Sequence, residues 1–274
     1  MNLSSIVFPL TAGLDTAVPR HAGRLLHAAF LHWLQHHQPE LAARLHDKNY
    51  TRPYALSDLH GHFTHDGPWR KIRQGQTVWF RLTTLEETFG ELVAQAAARQ
   101  PGPQLDDRTL TPGPACLTPA QHHHAGTTTF AALAAEVQAA TEAGQLPESV
   151  TLRFDSATCF MENDHALPLP VPRYVFGYLL NKWQLASPFA LPVEEVQHFV
   201  DSIHLAYSRL ETQMVDLKKY RRVGFTGVAR FALHPAMPNI YRQSLHLLAK
   251  FAYFSGVGSH TTMGMGQAWQ LADG

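Results

Sequence analysis

A mixed α+β protein made of two units with the same element order is predicted by three observations. Alternating apolar strands flank helices of 3.6-residue periodicity, the order strand-helix-strand-strand-helix-strand occurs twice, the second time with an extra helical segment after its first strand, and a polar histidine-bearing stretch separates the two occurrences. The chain has 274 residues, 45% of them hydrophobic, which leaves room for two small domains.

Residues Leu3 to Leu10 read as the first strand, closed by a turn from Thr11 to Asp15. From His21 to His37, Ala22, Leu26, Ala29, Phe30, Trp33 and Leu34 share one helical face, and His32 and His36 lie one turn apart along its edge. Leu41 and Leu45 mark a short helical turn, and Tyr54 and Leu56 a strand after Pro53. Gly75 to Leu82 alternates as a strand. Thr84 and Glu87 have capping-box spacing for a helix that ends near Arg99 at the Pro101 to Pro103 break. Leu105 to Leu117 supplies one more, interrupted strand, and Thr118 to Gly126, with His122, His123 and His124, reads as an exposed loop.

An alanine-rich helix over Thr127 to Ala143 opens the second half, so the domains are placed at residues 1–125 and 126–274. A strand over Ser149 to Phe160 follows, then helices over Pro172 to Trp183 and Val193 to Leu210. Val215 to Tyr220 and Val223 to Leu233 read as a strand pair around Arg221 and Arg222. The helix Asn239 to Phe254 and a last strand over Gln267 to Leu271 enclose FSGVGSHTTMGMGQAW. Two βαββαβ units of this order are ferredoxin-like, also described as RRM-like, and fold alone does not assign an activity.

The enclosed stretch holds two Gly-x-Gly pairs, Gly256/Gly258 and Gly264/Gly266. Glycines of this kind let backbone N–H groups converge on a phosphate. A dinucleotide site is excluded, because the stretch follows a helix and too little chain remains for a βαβ unit. Formal charge is zero, with 22 basic and 22 acidic residues, so any polyanion site must be local. The 18 histidines make the charge climb on mild acidification. Cys116 and Cys159 have neither disulfide-scaffold nor zinc-ribbon spacing. With no export signal or apolar span read in the sequence, the expectation is a cytoplasmic protein that contacts no membrane.

Three segments carry a family pattern: GVGSHTTMGMG after a C-terminal helix, LHDKNYTRPYALSDL near residue 50, and FDSATCF followed by PLPVPRYVFGYLLNKW. Together they resemble the Cas6 family of CRISPR-associated endoribonucleases, within the RAMP superfamily. The resemblance implies tandem ferredoxin-like domains with a glycine loop that binds repeat RNA. It also implies metal-free, cofactor-free cleavage of precursor transcripts, in which the ribose 2′-OH attacks the adjacent phosphate. That reaction leaves a 2′,3′-cyclic phosphate and a 5′-OH, with histidine as general acid or base. A tethered nucleophile supplies much of the acceleration, and a histidine titrating near about 6.5 suits either proton transfer.

By this resemblance His46 is the first catalytic candidate, followed by His32 and His36 on the first helix, with Arg52 as donor to a phosphate oxygen. The RNA-binding candidates are Gly256, Gly258, Ser259, His260, Thr261, Thr262, Gly264 and Gly266 of the loop. To these are added Lys218, Lys219, Arg221 and Arg222 of LKKYRR, and Arg173 on the proline-started helix. In strand geometry Lys218, Tyr220 and Arg222 share a face able to grip a backbone and stack a base. The family commonly has lysine or arginine where this chain has His260, so RNA affinity is expected to rise as pH falls.

Repeat RNA, precursor or processed, is the expected partner, with effector-complex subunits and a homodimer as further ones. Two rival readings differ in class. HGHFTHD, with His60, His62, His65 and Asp66, and the His32/His36 spacing suggest a metal-dependent hydrolase, though no HExxH frame is present. A repeat-RNA-binding subunit that cuts once or not at all shares every motif with the nuclease.

Overall fold

The computed structural model describes residues 2–46, 51–105, 109–191, 195–218 and 220–272, and His46 by its backbone alone. The chain forms two compact units. One comprises Asn2–Thr127 together with Thr262–Gly264, and the other Thr128–Thr261 with the residues from Met265 onward.

In the first unit the elements run β1 (Asn2–Ala12), β2 (Thr16–Pro19), α1 (Gly23–His37), α2 (Pro39–His46), β3 (Tyr54–Leu56), β4 (Thr64–Asp66), β5 (Trp69–Ile72), β6 (Thr77–Thr84), α3 (Glu87–Arg99), β7 (Leu110–Pro112) and β8 (Gly126–Thr129). The main sheet has order β3-β6-β1-β7, antiparallel along that path, and β8 also pairs with β1. This is the ferredoxin-like order, in which the first and third strands lie at the centre. Phe8, Phe80 and Leu82 face α1 and α3, joining Phe30, Trp33, Leu34, Phe89 and Val93 in one core. Strands β2, β5 and β4 form a separate small sheet.

The second unit contains α4 (Phe130–Glu142), β9 (Ser149–Thr158), β10 (Phe160–Glu162), β11 (His165–Leu167), α5 (Pro172–Ala186), α6 (Val196–Asp201), β12 (His204–Asp216), β13 (Arg221–Ala232), α7 (Asn239–Ser255) and β14 (Ala268–Gln270). Its sheet, β12-β13-β9-β14, repeats the same topology. Trp183 stands edge-on to Phe130 and Phe251, and Phe176 to Phe231, so aromatic side chains fill this core.

Four expectations need correction. Thr84 caps no helix. It is the last residue of β6, paired with Ser4 and Tyr54 and fully buried, and α3 starts at Glu87 without a side-chain cap. The Leu85 amide continues the sheet by donating to the Pro53 carbonyl, so strand pairing outcompetes the cap. The expected helix over Val193 to Leu210 covers only Val196–Asp201 where described, and from His204 the chain is strand. Val196, Phe199, Val200 and Ile203 fit a helical period, but Tyr207 is 54% exposed, and unbroken pairing with β13 from Tyr207 to Asp216 decides the conformation.

Arg221 and Arg222 consequently begin β13, and the Leu217 amide donates to the Tyr220 carbonyl ahead of it; Lys218 has φ 73°, so no strand face joins Lys218 to Tyr220 and Arg222. Finally, His122 and His124 are partly buried. They lie 4.6 and 5.2 Å from the Trp79 ring, which also stacks on His60 at 4.3 Å. Burial, then the charge of Arg81 and the neighbouring histidines, pushes His124 down to about 3.

Candidate RNA-cleavage site

The first unit gathers its candidate groups at the start of α1. Asp58, 8% exposed, accepts hydrogen bonds from the amides of Ala22 (2.9 Å) and Leu59 (2.7 Å), fixing the chain into the helix. Its second oxygen faces Arg70 Nη2 at 3.4 Å and His21 Nδ1 at 3.7 Å. The tip of the glycine loop, Thr262–Gly264, lies against this helix start. Gly264 bridges Ser57 in parallel, and a Cβ on it would stand 2.7 Å from the Gly23 Cα. A Cβ on Gly23 would in turn meet the Met263 carbonyl oxygen at 2.2 Å. Two backbones therefore touch where any side chain would separate them.

One turn into α1, His27 sits beneath that loop tip. Its ring stacks on Tyr54 with centroids 6.4 Å apart, and Nδ1 lies 3.4 Å from the tyrosine hydroxyl. Burial first, then the charge of Arg52, pulls His27 down to about 4, while a hydrogen bond with the Thr262 backbone works in the opposite direction. The imidazole is therefore neutral at physiological pH. Tyr54 is pushed upward by its burial, and Arg52 opposes that shift, so one exposed guanidinium acts on both buried groups. His27, Tyr54, Arg52 and Thr262 form one constellation.

His27 was missed by sequence reasoning because it lies within the apolar stripe of α1. Its signal was a titratable residue spaced with Gly23, Phe30 and Leu34 on the buried face. His32 and His36 lie toward the other end of the helix. They are exposed, with rings 4.4 Å apart and His36 Nδ1 2.8 Å from the His32 carbonyl. The rise along a helix, about 1.5 Å per residue, carries His36 some ~20 Å from Gly23. His46 ends α2, and its side chain lies outside the described residues.

All four loop glycines have positive φ, Gly256 at 64°, Gly258 at 82° and Gly266 at 71° in the second unit and Gly264 at 83° in the first. The amides of Val257, Ser259 and Gly266 donate to Gly266, Cys159 and Ala157 carbonyls at 2.7, 2.8 and 3.0 Å. Those donors hold the loop itself, which narrows the phosphate cradle expected from the glycines. Thr261 is buried and hydrogen-bonds Tyr178, which burial pushes up to about 12; Ser259 and His260 are partly exposed.

The His260 Nε2 lies 2.9 Å from the Tyr220 hydroxyl, and the Arg222 guanidinium covers the Tyr220 ring at 4.4 Å. Burial and then Arg222 hold His260 below its ordinary value, so its charge arrives at lower pH than its sequence position suggested. Arg221 faces Asp216 at 3.7 Å, and Arg173 Nη2 lies 3.2 Å from Glu162 and 2.8 Å from the Tyr174 hydroxyl. Lys219 lies outside the described residues.

The residues proposed for a metal diverge. His60 stacks on Trp79, while His65 and Asp66 occupy the exposed β4, with Asp66 2.6 Å from Lys71. Among the described residues no three His, Cys, Asp or Glu side chains converge on one point. No described helix is long and apolar enough to cross a membrane.

Two ferredoxin-like units of this order also make up a solved RAMP protein binding different RNA substrates, which shares the fold at TM-score 0.62 and 12% identity. The family comparisons are more specific. The model of the Cas6 N-terminal domain matches residues 4–96 and that of CRISPR-associated endoribonuclease Cas6 matches residues 152–268. The chain belongs to the Cas6 family.

Among solved structures, a Cas6 (TTHB231) product complex is 29% identical, covers 98% of this chain and 100% of its own, and superposes with TM-score 0.76. Thermus thermophilus Cas6 (TTHB231) gives 28% identity, 98% coverage of each chain and TM-score 0.74. A Cas6 (TTHA0078) product complex gives 25%, coverage of 99% and 100%, and TM-score 0.76. No curated protein sequence matches the chain.

Proposed function

We propose that this protein cuts CRISPR repeat RNA in precursor transcripts by metal-independent transesterification. The observation that carries the reading is the constellation of His27, Tyr54 and Arg52 beneath Thr262, in a chain whose relatives include Cas6 product complexes. The 2′-oxygen forms a bond to the adjacent phosphorus as the bond to the 5′-oxygen breaks. A base takes the 2′-OH proton and an acid supplies one to the leaving oxygen, so the products are a 2′,3′-cyclic phosphate and a 5′-OH.

A neutral His27 suits the base, and His46 is assigned the other proton transfer. Arg52 stabilises the negative charge that builds on the non-bridging oxygens. His32 and His36, exposed and paired with each other, are given no chemical role. Ser259, His260, Thr262 and the Tyr220–Arg222 pair are assigned to holding RNA, with Lys218, Lys219 and Arg221 adding charge and Arg173 contributing less because Glu162 engages it.

Labelled repeat RNA incubated with the protein in EDTA is expected to be cut, and a 2′-deoxy substitution before the scissile phosphate to abolish cutting. His46→Ala and His27→Ala should each slow single-turnover cleavage on the order of 10²- to 10⁴-fold while RNA still binds. Tight binding of the unmodified repeat without cleavage replaces this reading with that of a repeat-RNA-binding subunit.

A further inference from the structure

Among the described residues of the first unit, Trp69 is the one Trp, Tyr or Phe left exposed, at 48%. Trp33 is buried, and Trp79 is covered by His60, His122 and His124. Trp69 lies on β5, the central strand of the small sheet β2-β5-β4, where it stands opposite Pro19 and Asp66. Lys71, two residues on, stands opposite Ala17 and Thr64. Neighbours this short leave the indole uncovered.

The other face of the same strand turns inward. Ile72 and Val18 join the core of the unit, and the Arg70 guanidinium lies over the Phe63 ring at 4.9 Å. Arg70 also donates to the Leu59 carbonyl at 2.9 Å and faces Asp58 at 3.4 Å, the carboxylate that fixes the start of α1. The Arg20 amide, on the chain entering α1, donates to the Pro68 carbonyl beside Trp69 at 2.8 Å. The open face is therefore held next to the helix start that the proposed reaction centre uses. Lys71 follows Trp69 on that face at roughly 7 Å, and the alternation continues to Arg73. Lys71 meets Asp66 at 2.6 Å, both groups well exposed, so a phosphate displaces that carboxylate at little cost. Asp15 gives its carboxylate to the Gln74 amide at 2.7 Å, and no described acid pairs with Arg73. With two acids beside its cations the face has a small net charge, and the open ring is its stronger feature.

We propose that this face holds single-stranded RNA adjoining the repeat, with a base stacked on Trp69 and the backbone running along Lys71 and Arg73. The proposal rests on the reading of the chain as a repeat-RNA nuclease, whose precursor substrate continues as RNA beyond the repeat. An exposed indole stacks on any base, because every base has a π-face, and nearby cations hold the strand without reading it. Such sequence-tolerant binding suits a segment outside the repeat. A protein strand is disfavoured at Trp69, since β5 is already paired on both sides and offers no free backbone edge.

Fluorescence anisotropy tests the platform on the full chain, with repeat RNA carrying 2′-deoxyribose before the scissile phosphate. This RNA is compared with versions extended by about ten uridines at one end or the other. One of the two extensions is expected to tighten binding about tenfold. Trp69→Ala removes that gain and leaves affinity for the bare repeat unchanged, whereas Trp69→Tyr keeps most of it. Arg73→Ala should lower the salt slope by about 0.7 for the extended RNA alone. Oligouridine without the repeat is measured alongside, and its weak binding is expected to depend on Trp69 in the same way.

Each variant's thermal midpoint is measured to exclude loss of folding. Equal affinity of the native chain for bare and extended RNA overturns the proposal, as does a gain that survives Trp69→Ala or a Trp69→Ala loss that is the same on both RNAs. A native chain that leaves the bare repeat unbound overturns the repeat-RNA reading instead. In that case the oligouridine arm decides the platform, which stands if Trp69→Ala abolishes the binding and falls if it does not.

Discussion

The candidate groups of the first unit are buried, His27 at 8% and Tyr54 at 2% exposure, whereas Tyr220 of the second unit is 42% exposed beside Arg221 and Arg222. The difference separates two kinds of sensitivity. A buried neutral histidine is governed by geometry and dielectric, so a displacement of about 1 Å or one proton changes its behaviour. An exposed aromatic flanked by guanidiniums acts through screened charge and stacking, so salt changes it more than shape does.

The largest effect is expected at the glycine contact. Gly264→Ala places a Cβ 2.7 Å from the Gly23 Cα at a residue with φ 83°, and the loop tip must withdraw from α1. Single-turnover cleavage is expected to fall on the order of 10²-fold, with smaller loss of RNA affinity. Cleavage at the native rate would show that Thr262 is not needed above His27.

The next effect is on stability against pH. His27 is depressed below its unfolded value, so the unfolded chain binds the extra proton between pH 6.5 and about 4 and the fold loses stability as pH falls through that window. From pH 7 to 5 the loss from this residue is on the order of 2 kcal/mol. His27→Gln should flatten the decline of the thermal midpoint over that range. An unchanged slope would move the acid sensitivity to His124 and His122, which are depressed in the same direction.

The smallest effect concerns the exposed cluster. Arg222→Ala should reduce repeat-RNA affinity severalfold and lower the salt slope by about 1. Arg173→Ala should do less, because Glu162 lies 3.2 Å from that guanidinium. Equal slopes for both variants would remove the distinction between them.

Much of the fold was legible because core periodicity is a local property. The α1 face and the order of the major strands follow from where Phe8, Phe30, Trp33 and Phe80 recur. The β12 strand was not legible, since its conformation is fixed by β13 and its own exposed side chains carry no strand signature. The site divides similarly. Arg52 and the loop glycines announce themselves by type and spacing, but His27 looks like a stray polar residue until Tyr54 and Thr262 close around it. His32 and His36 had suggestive spacing, and the structure shows their rings in contact on the exposed face, with His36 Nδ1 at the His32 backbone carbonyl.

The triplet Thr262–Gly264 belongs to the first unit, yet Thr128–Thr261, the larger part of the second unit, is synthesised before it. At about 5–20 residues per second, the α1 start is synthesised some tens of seconds before its covering segment. The proposed reaction centre is thus incomplete on every nascent chain, and translation itself times when cutting can begin.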